Sequence, residues 1–125
     1  MILDASALLA LLQSEPGAER VEAVLHSCSI SAVNWSEVVQ KLLRYDPDAA
    51  NIRHDLEKTG LKIVSFTTEQ AESCATLWSP CKHLGISLAD RVCLQLGMST
   101  REIVLTADTT WGGLDIPEIR VEQLR

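Results

Sequence analysis

The chain has 125 residues, 46% of them hydrophobic and 22% charged, with a formal net charge of −6. This suits one globular domain, residues 1–125, that buries about two-thirds of its unfolded surface and needs neither a disulfide frame nor a structural metal to fold. No apolar run approaches the ~20 residues of a membrane span, and the acidic balance lacks the basic footprint of a nucleic-acid binder, although an acidic site loaded with divalent cations presents positive charge.

In chain order, Met1 to Leu3 reads as a short buried strand ending at Asp4. Ala5 to Gln13 follows as a helix with Leu8, Leu11 and Leu12 at core spacing. Glu15-Pro16-Gly17 breaks it, and Ala18 to His26 forms a second helix on Val21, Val24 and Leu25. Cys28 to Ala32 is a strand, and Asn34 to Tyr45 a third helix with Val38, Leu42 and Tyr45 on one face. Pro47 to Thr59 is a polar helix, started by proline and stopped by Gly60, with the character of a solvated lid or interface element.

Leu61 to Phe66 is a strand, and a helix capped at Thr67 or Thr68 runs to about Trp78, before Pro80. Ser87 to Gly97 reads as a helix apolar on most of its circumference, with Ser87 as N-cap and Gly97 as its expected stop. Glu102 to Leu105 and Ile119 to Val121 complete the strands. Strands alternating with helices indicate an α/β fold with a central parallel sheet and helices on both faces.

Asp4, Glu37, Asp90 and Asp108 fall at the ends of strands or the starts of helices. In an open parallel sheet, functional groups gather at the carboxyl ends of the strands. Each acid also has a structural explanation. Asp4 fits a helix cap, Asn34-x-x-Glu37 and Ser87-x-x-Asp90 fit capping boxes, and Asp108 fits a turn. Capping explains each acid singly and leaves their shared location unexplained. Carboxylates sharing a pocket stay ionised with cations present, and oxygen-only ligands select Mg2+ or Mn2+. Such ions activate water and stabilise the leaving oxygen of a phosphodiester.

The segments Ile2-Leu3-Asp4-Ala5-Ser6, Ser31 to Val38, Ser87 to Arg91 and Leu105 to Trp111 together resemble PIN-domain proteins of the VapC toxin type. The resemblance covers essentially the whole chain. It implies a PIN-like α/β/α sandwich and a Mg2+-dependent endoribonuclease acting as the toxin of a toxin–antitoxin pair. By the resemblance, Asp4, Glu37, Asp90 and Asp108 match the acidic catalytic quartet. Asp4 and Asp90 are then the direct metal ligands, with Asp108 also in the metal set and with Glu37 and Asp108 acting through water or on a second ion. Ser6, Thr106 and Asn34 support the centre, and Arg91 neutralises the acids, reaches a phosphate or forms a structural salt bridge. Mn2+ is the expected substitute for Mg2+. The implied partners are RNA, a small protein antitoxin and a second copy of the chain.

Other residues carry less. His26, His54 and His83 share no metal-binding spacing and read as surface residues. Trp35 and Trp78 read as core or interface, and Trp111 as packing beneath the site. Lys41, Arg44 and Arg53 are among cations scattered in sequence. No Cys-x-x-Cys pair or positively charged leader is present, so reduced thiols, no signal peptide and a cytoplasmic location are expected. The rival reading is a non-catalytic PIN-fold module that binds RNA or protein. A haloacid-dehalogenase-type phosphohydrolase ranks low, because Ser6 stands where that family needs a second Asp.

Overall fold

Short apolar runs separated by helices form one parallel sheet in the computed structural model, which describes residues 1–125. The strands are β1 (Ile2–Leu3), β2 (Ser29–Ser31), β3 (Lys62–Val64), β4 (Val104–Thr106) and β5 (Val121–Gln123). The helices are α1 (Ala5–Leu12), α2 (Ala18–Val24), α3 (Ala32–Leu42), α4 (Ile52–Thr59), α5 (Thr68–Ala75), α6 (Trp78–Cys81) and α7 (Leu88–Thr100). Sheet order is β3-β2-β1-β4-β5, and every neighbouring pair is parallel. The register pairs Ile2 with Val104 and Leu3 with Leu105.

Alternation along the strands divides the core into two layers. Leu3, Ile30 and Leu105 point into a cluster with Leu8, Val21, Val38 and Leu56 from α1 to α4. Ile2 and Val104 point to the other face, against Leu77 just before α6, Cys81 of α6 and Cys93, Leu94 and Leu96 of α7. Chain connections run β1 to β2 to β3 through the first layer of helices, then cross to β4 through the second. The order therefore reverses between β1 and β4, where open α/β sheets form a crevice. No helix is long and apolar enough to cross a membrane.

Several boundaries differ from the sequence reading. Helix α3 starts at Ala32, because the Ser31 hydroxyl caps it by accepting from the Val33 N–H at 3.2 Å. Asn34 is thus an interior, fully buried residue and not a cap, and Glu37 lies in the second turn. Tyr45, expected on the apolar face, is 79% exposed beyond the helix end. Pro47 lies in the turn before α4, while Gly60 stops α4 as expected, at φ 117°. Pro80 sits inside the short α6, where its missing N–H costs no hydrogen bond. Helix α1 buries Ala5, Ala7, Leu8, Leu9 and Ala10 in the core and leaves Leu11 and Leu12 partly exposed.

Gly97 is not a helix stop. Helix α7 continues to Thr100 and ends at Arg101, which takes the left-handed conformation at φ 57°. Gly97 is instead where α7 presses on β4, since a Cβ there would stand 2.4 Å from Val104 Cγ2. Val104 is fully buried and branched, so it has little room to yield. Gly97→Ala is expected to lower the unfolding free energy by about 1–3 kcal/mol, despite the better helix propensity of alanine. Denaturant unfolding of Gly97→Ala, alone and with Val104→Ala, checks this. The second change should recover part of the loss, and an unaltered midpoint in the single variant would contradict the packing account.

Candidate functional site

The site is built around Asp4, the residue at which β1 becomes α1. Its main-chain N–H continues the β1–β4 ladder by donating to Leu105 O at 3.0 Å, which sets it beside Thr106. The carboxylate does not cap α1, although it occupies the N-cap position. It turns to the crevice, where Oδ2 accepts from the Ser6 hydroxyl at 2.6 Å and the Thr106 hydroxyl at 2.9 Å. Each hydroxyl has one proton, and both are directed at Asp4. Their lone pairs accept from the next backbone amides, Ala107 N–H on Ser6 Oγ at 2.9 Å and Asp108 N–H on Thr106 Oγ1 at 3.0 Å. Ser6 and Thr106 are therefore supporting groups, as their positions suggest. Asp4 is nearly fully buried, and its Oδ1 takes no side-chain hydrogen bond.

Asp90 reaches the same crevice from α7. The capping box is real: Asp90 Oδ2 accepts from Ser87 N–H at 3.0 Å, and Asp90 N–H donates to Ser87 Oγ at 3.1 Å. Its charge nonetheless bears on Asp4 and Glu37 and helps raise the pKa of both. The structural and the functional accounts of Asp90 hold together, because the box uses a single carboxylate oxygen.

Glu37 enters from α3. Asn34 Nδ2 donates to its Oε1 at 2.9 Å and to Ala89 O at 3.0 Å, so one buried amide joins α3 to the residue before Asp90. Asn34 Oδ1 is buried without a partner.

Burial is the largest influence on both Asp4 and Glu37 and pushes their pKa values above the ordinary carboxylate range. For Asp4 the Ser6 and Thr106 hydroxyls pull the other way, and for Glu37 the Asn34 amide and Lys41 do so. Cys93, one helical turn beyond Asp90, lies under these acids. Its thiol is pushed well up by burial and then by Asp4, Asp90 and Glu37. The positive ends of α1, α3 and α7 meet at the same edge and favour negative charge there.

Asp108 stands apart. Its Oδ1 accepts from Thr110 N–H at 2.9 Å and Thr110 Oγ1 at 2.7 Å, capping the 3-10 turn Thr109–Gly113, and its Oδ2 takes no hydrogen bond from the protein. The structure thus brings Asp4, Glu37 and Asp90 together and leaves Asp108 at the rim, joined to them through its backbone N–H on Thr106. No three acid side chains stand at direct ligation distance of one ion. The donor set still fits a small hard cation, because Mg2+ keeps several waters and takes one or two carboxylates directly. The buried, hydroxyl-braced carboxylate of Asp4 is the strongest such donor.

Arg91 forms no salt bridge. Its charge bears on Cys74 and Cys81, and its Nε is buried without a partner. Trp111 is buried in the cluster that includes Cys93, as expected of a residue beneath the site. Trp78, expected in the core or at an interface, is 55% exposed and so lies outside the core. The four cysteines are free and buried, and the three histidines are exposed. Sequence reasoning set Lys41 only among scattered cations and gave Cys93 no place at the site. Helical spacing marks both, since Lys41 is four residues after Glu37 and Cys93 three after Asp90.

Comparison with known proteins agrees with this fold. The fold matches a chain of a toxin–antitoxin complex from Klebsiella pneumoniae with TM-score 0.73 and 22% identity, over 94% of this chain and 93% of that one. It matches a chain of DNA-bound VapBC from Salmonella typhimurium with TM-score 0.71 and 15% identity, over 99% and 97%. It matches a chain of FitAcB from Neisseria gonorrhoeae with TM-score 0.69 and 22% identity, over 98% and 96%. No curated protein sequence matches the chain. The PIN domain family matches residues 1–116. The parallel sheet with its acids at the β1–β4 crevice and that near-complete match lead to one conclusion: the chain belongs to the PIN domain family.

Proposed function

We propose that the protein is a divalent-metal-dependent endoribonuclease and the toxin of a toxin–antitoxin pair. The observation that carries this reading is the convergence of Asp4, Glu37 and Asp90 over Cys93 at the sheet's switch point. Asp4 and Asp90 would hold Mg2+, with Mn2+ as substitute, and Asp108, whose Oδ2 takes no hydrogen bond from the protein, would join the metal set. The ion supplies an activated water and charge stabilisation for the departing ester oxygen. Ser6 and Thr106 keep Asp4 oriented. Glu37, whose Oε1 is held by Asn34 and whose proton affinity is raised, is suited to accept the proton of the attacking water. Lys41, exposed and outside every salt bridge, offers charge to the substrate phosphate beside Glu37.

The partners follow. A groove of about 470 Å3 is lined by Leu12, Leu42, Tyr45 and Ile52 together with Asp46, Asp48 and Asp55. Its apolar floor and acidic rim suit a basic amphipathic segment of an antitoxin. The matched structures are toxin–antitoxin complexes, which supports that assignment. A basic side chain of the same antitoxin would pair with Asp4 and Asp90 and block the site. Trp78 and Leu88, 55% and 62% exposed, are apolar surface suited to a homodimer. The proposed role implies a cytoplasmic location.

The rival reading, a PIN-fold module without catalysis, is favoured by the caps made by Asp90 and Asp108. Two substitutions separate cap from charge. Asp90→Asn keeps a side-chain oxygen for the Ser87 N–H and removes the charge. RNA cleavage should fall by more than about 100-fold with the fold retained. Ser87→Ala removes the cap, so it should cost about 0.5–2 kcal/mol of stability and leave cleavage in place. Cleavage assays and thermal melts on the same samples decide, and full activity of Asp90→Asn would establish the non-catalytic module.

Metal and pH give a second test. Asp4 and Glu37 have folded pKa values above their reference values of 3.8 and 4.5, so each folded state holds its proton more tightly than the unfolded chain. Their contribution to stability is fully present below those reference values and is lost as pH rises through the folded values. Metal-free protein should therefore gain stability from these groups on acidification from neutrality, and Asp4→Asn should flatten that slope. At neutral pH, Mg2+ should raise the melting temperature of the wild type more than that of Asp4→Asn, because the ion binds the ionised folded site. EDTA should abolish cleavage. Equal Mg2+ shifts in both proteins, or cleavage in EDTA, would contradict the metal assignment.

A further inference from the structure

The surface holds cavities of different electrostatic character. The groove between the ends of α1 and α3 and the start of α4 is lined by Asp46, Asp48 and Asp55 and has no cation. A smaller cavity of about 280 Å3 beside Trp111 has no charged side chain. The remaining one, about 430 Å3, is lined by Trp35, Ala50, Asn51, Arg53 and His54 and contains no acid. In a chain of net charge −6, it is the cavity that carries positive charge.

Its lining is also chemically coherent. The indole of Trp35, the guanidinium of Arg53 and the imidazole of His54 are planar groups that stack on nucleobases. The carboxamide of Asn51 matches the adjacent donor and acceptor of a base edge. A peptide side chain would find little apolar surface here beyond Trp35 and Ala50. Arg53 Nε pairs with Glu57 at 3.0 Å, and the pair is exposed to solvent.

The cavity stands in a fixed relation to the acids. Trp35 and Glu37 are two residues apart on α3, so they lie about 3 Å apart along its axis and on opposite flanks. The two sites are thus separated by about the width of one helix, ~10–12 Å. An extended single strand passing over the start of α3 spans that distance within a few nucleotides.

We propose that the Trp35–Asn51–Arg53–His54 cavity is a base-binding subsite, which seats one unpaired nucleobase of the RNA while a neighbouring phosphodiester lies over Asp4, Glu37 and Asp90. The proposal rests on the ribonuclease reading for its substrate. The subsite selects a single-stranded segment and sets the cleavage position relative to the seated base.

The test uses fluorescent single-stranded RNA hexamers in which one position at a time is abasic. Binding is measured by anisotropy with the whole protein carrying Asp4→Asn, and with the same protein also carrying Arg53→Ala and His54→Ala. Both added changes are at exposed positions, so the fold is retained. One abasic position should weaken binding by about tenfold in the first protein, the scale of one lost stacked base. The loss at that position should disappear in the second protein. A flat abasic profile, an identical profile in both proteins or no RNA binding would overturn the subsite. If the added changes abolish binding of a co-expressed protein partner and leave the RNA profile unchanged, the cavity is a protein-docking surface and the proposal fails. Cleavage of the same hexamers by protein with an intact Asp4 separates the two readings. A position-specific profile without cleavage overturns the ribonuclease reading alone. Cleavage with a flat profile overturns the subsite alone.

Discussion

The structure depends on a carboxylate held at the point where the sheet changes direction. Asp4 ends β1 next to Thr106 at the end of β4, and the hydroxyls of Ser6 and Thr106 both donate to its Oδ2. Those hydroxyls are in turn oriented by the amides of Ala107 and Asp108. The backbone of one strand thereby fixes a charge on its neighbour. A buried carboxylate would otherwise be costly, and here its oriented donors and the start of α1 compensate for part of the lost hydration.

The arrangement is still electrostatically unfavourable by itself. Asp4 and Glu37 both prefer a proton more than exposed acids do, first because they are buried and then because other carboxylates lie close, Asp90 for Asp4 and Asp4 and Asp90 for Glu37. The fold tolerates this through rigid supports. The Asn34 amide ties Glu37 to the first turn of α7, and the Ser87 box sets the direction of Asp90. These contacts cross from one layer of helices to the other, so the site is also where the two cores are joined. A cation placed among these acids would relieve the repulsion, which is why a metal reading follows from the energetics of the site as well as from its donors.

The outer surface divides the remaining tasks by charge. Acidic residues rim the apolar groove at Tyr45 and Ile52, while Arg53 and His54 face the other side of the same polar segment. Helix α4 therefore presents two different surfaces, consistent with its reading as a solvated interface element. One surface suits a basic protein segment, and the other suits a planar, electron-rich ligand.

Much was legible in the sequence, and for local reasons. Alternation of apolar runs with helical periods determined the α/β class, and Gly60 marked the end of α4 because the chain there needs a positive φ. The Ser87-x-x-Asp90 box was readable because its partners are three residues apart. Four acids at element ends pointed to the carboxyl edge of the sheet. Other features were decided only by contacts between residues distant in sequence. Gly97 reads as a stop, yet it is a contact point because Val104 lies against it. Asn34 reads as a cap, yet Ser31 captures the helix start and frees the amide to reach Ala89. Spacing cannot tell that Asp108 would spend an oxygen on Thr110 while Asp4, Glu37 and Asp90 converge, because that depends on where the chain turns after β4. Local patterns determine which elements form, while the crossing of strands and helices brings distant side chains together, and only that crossing assembled the site.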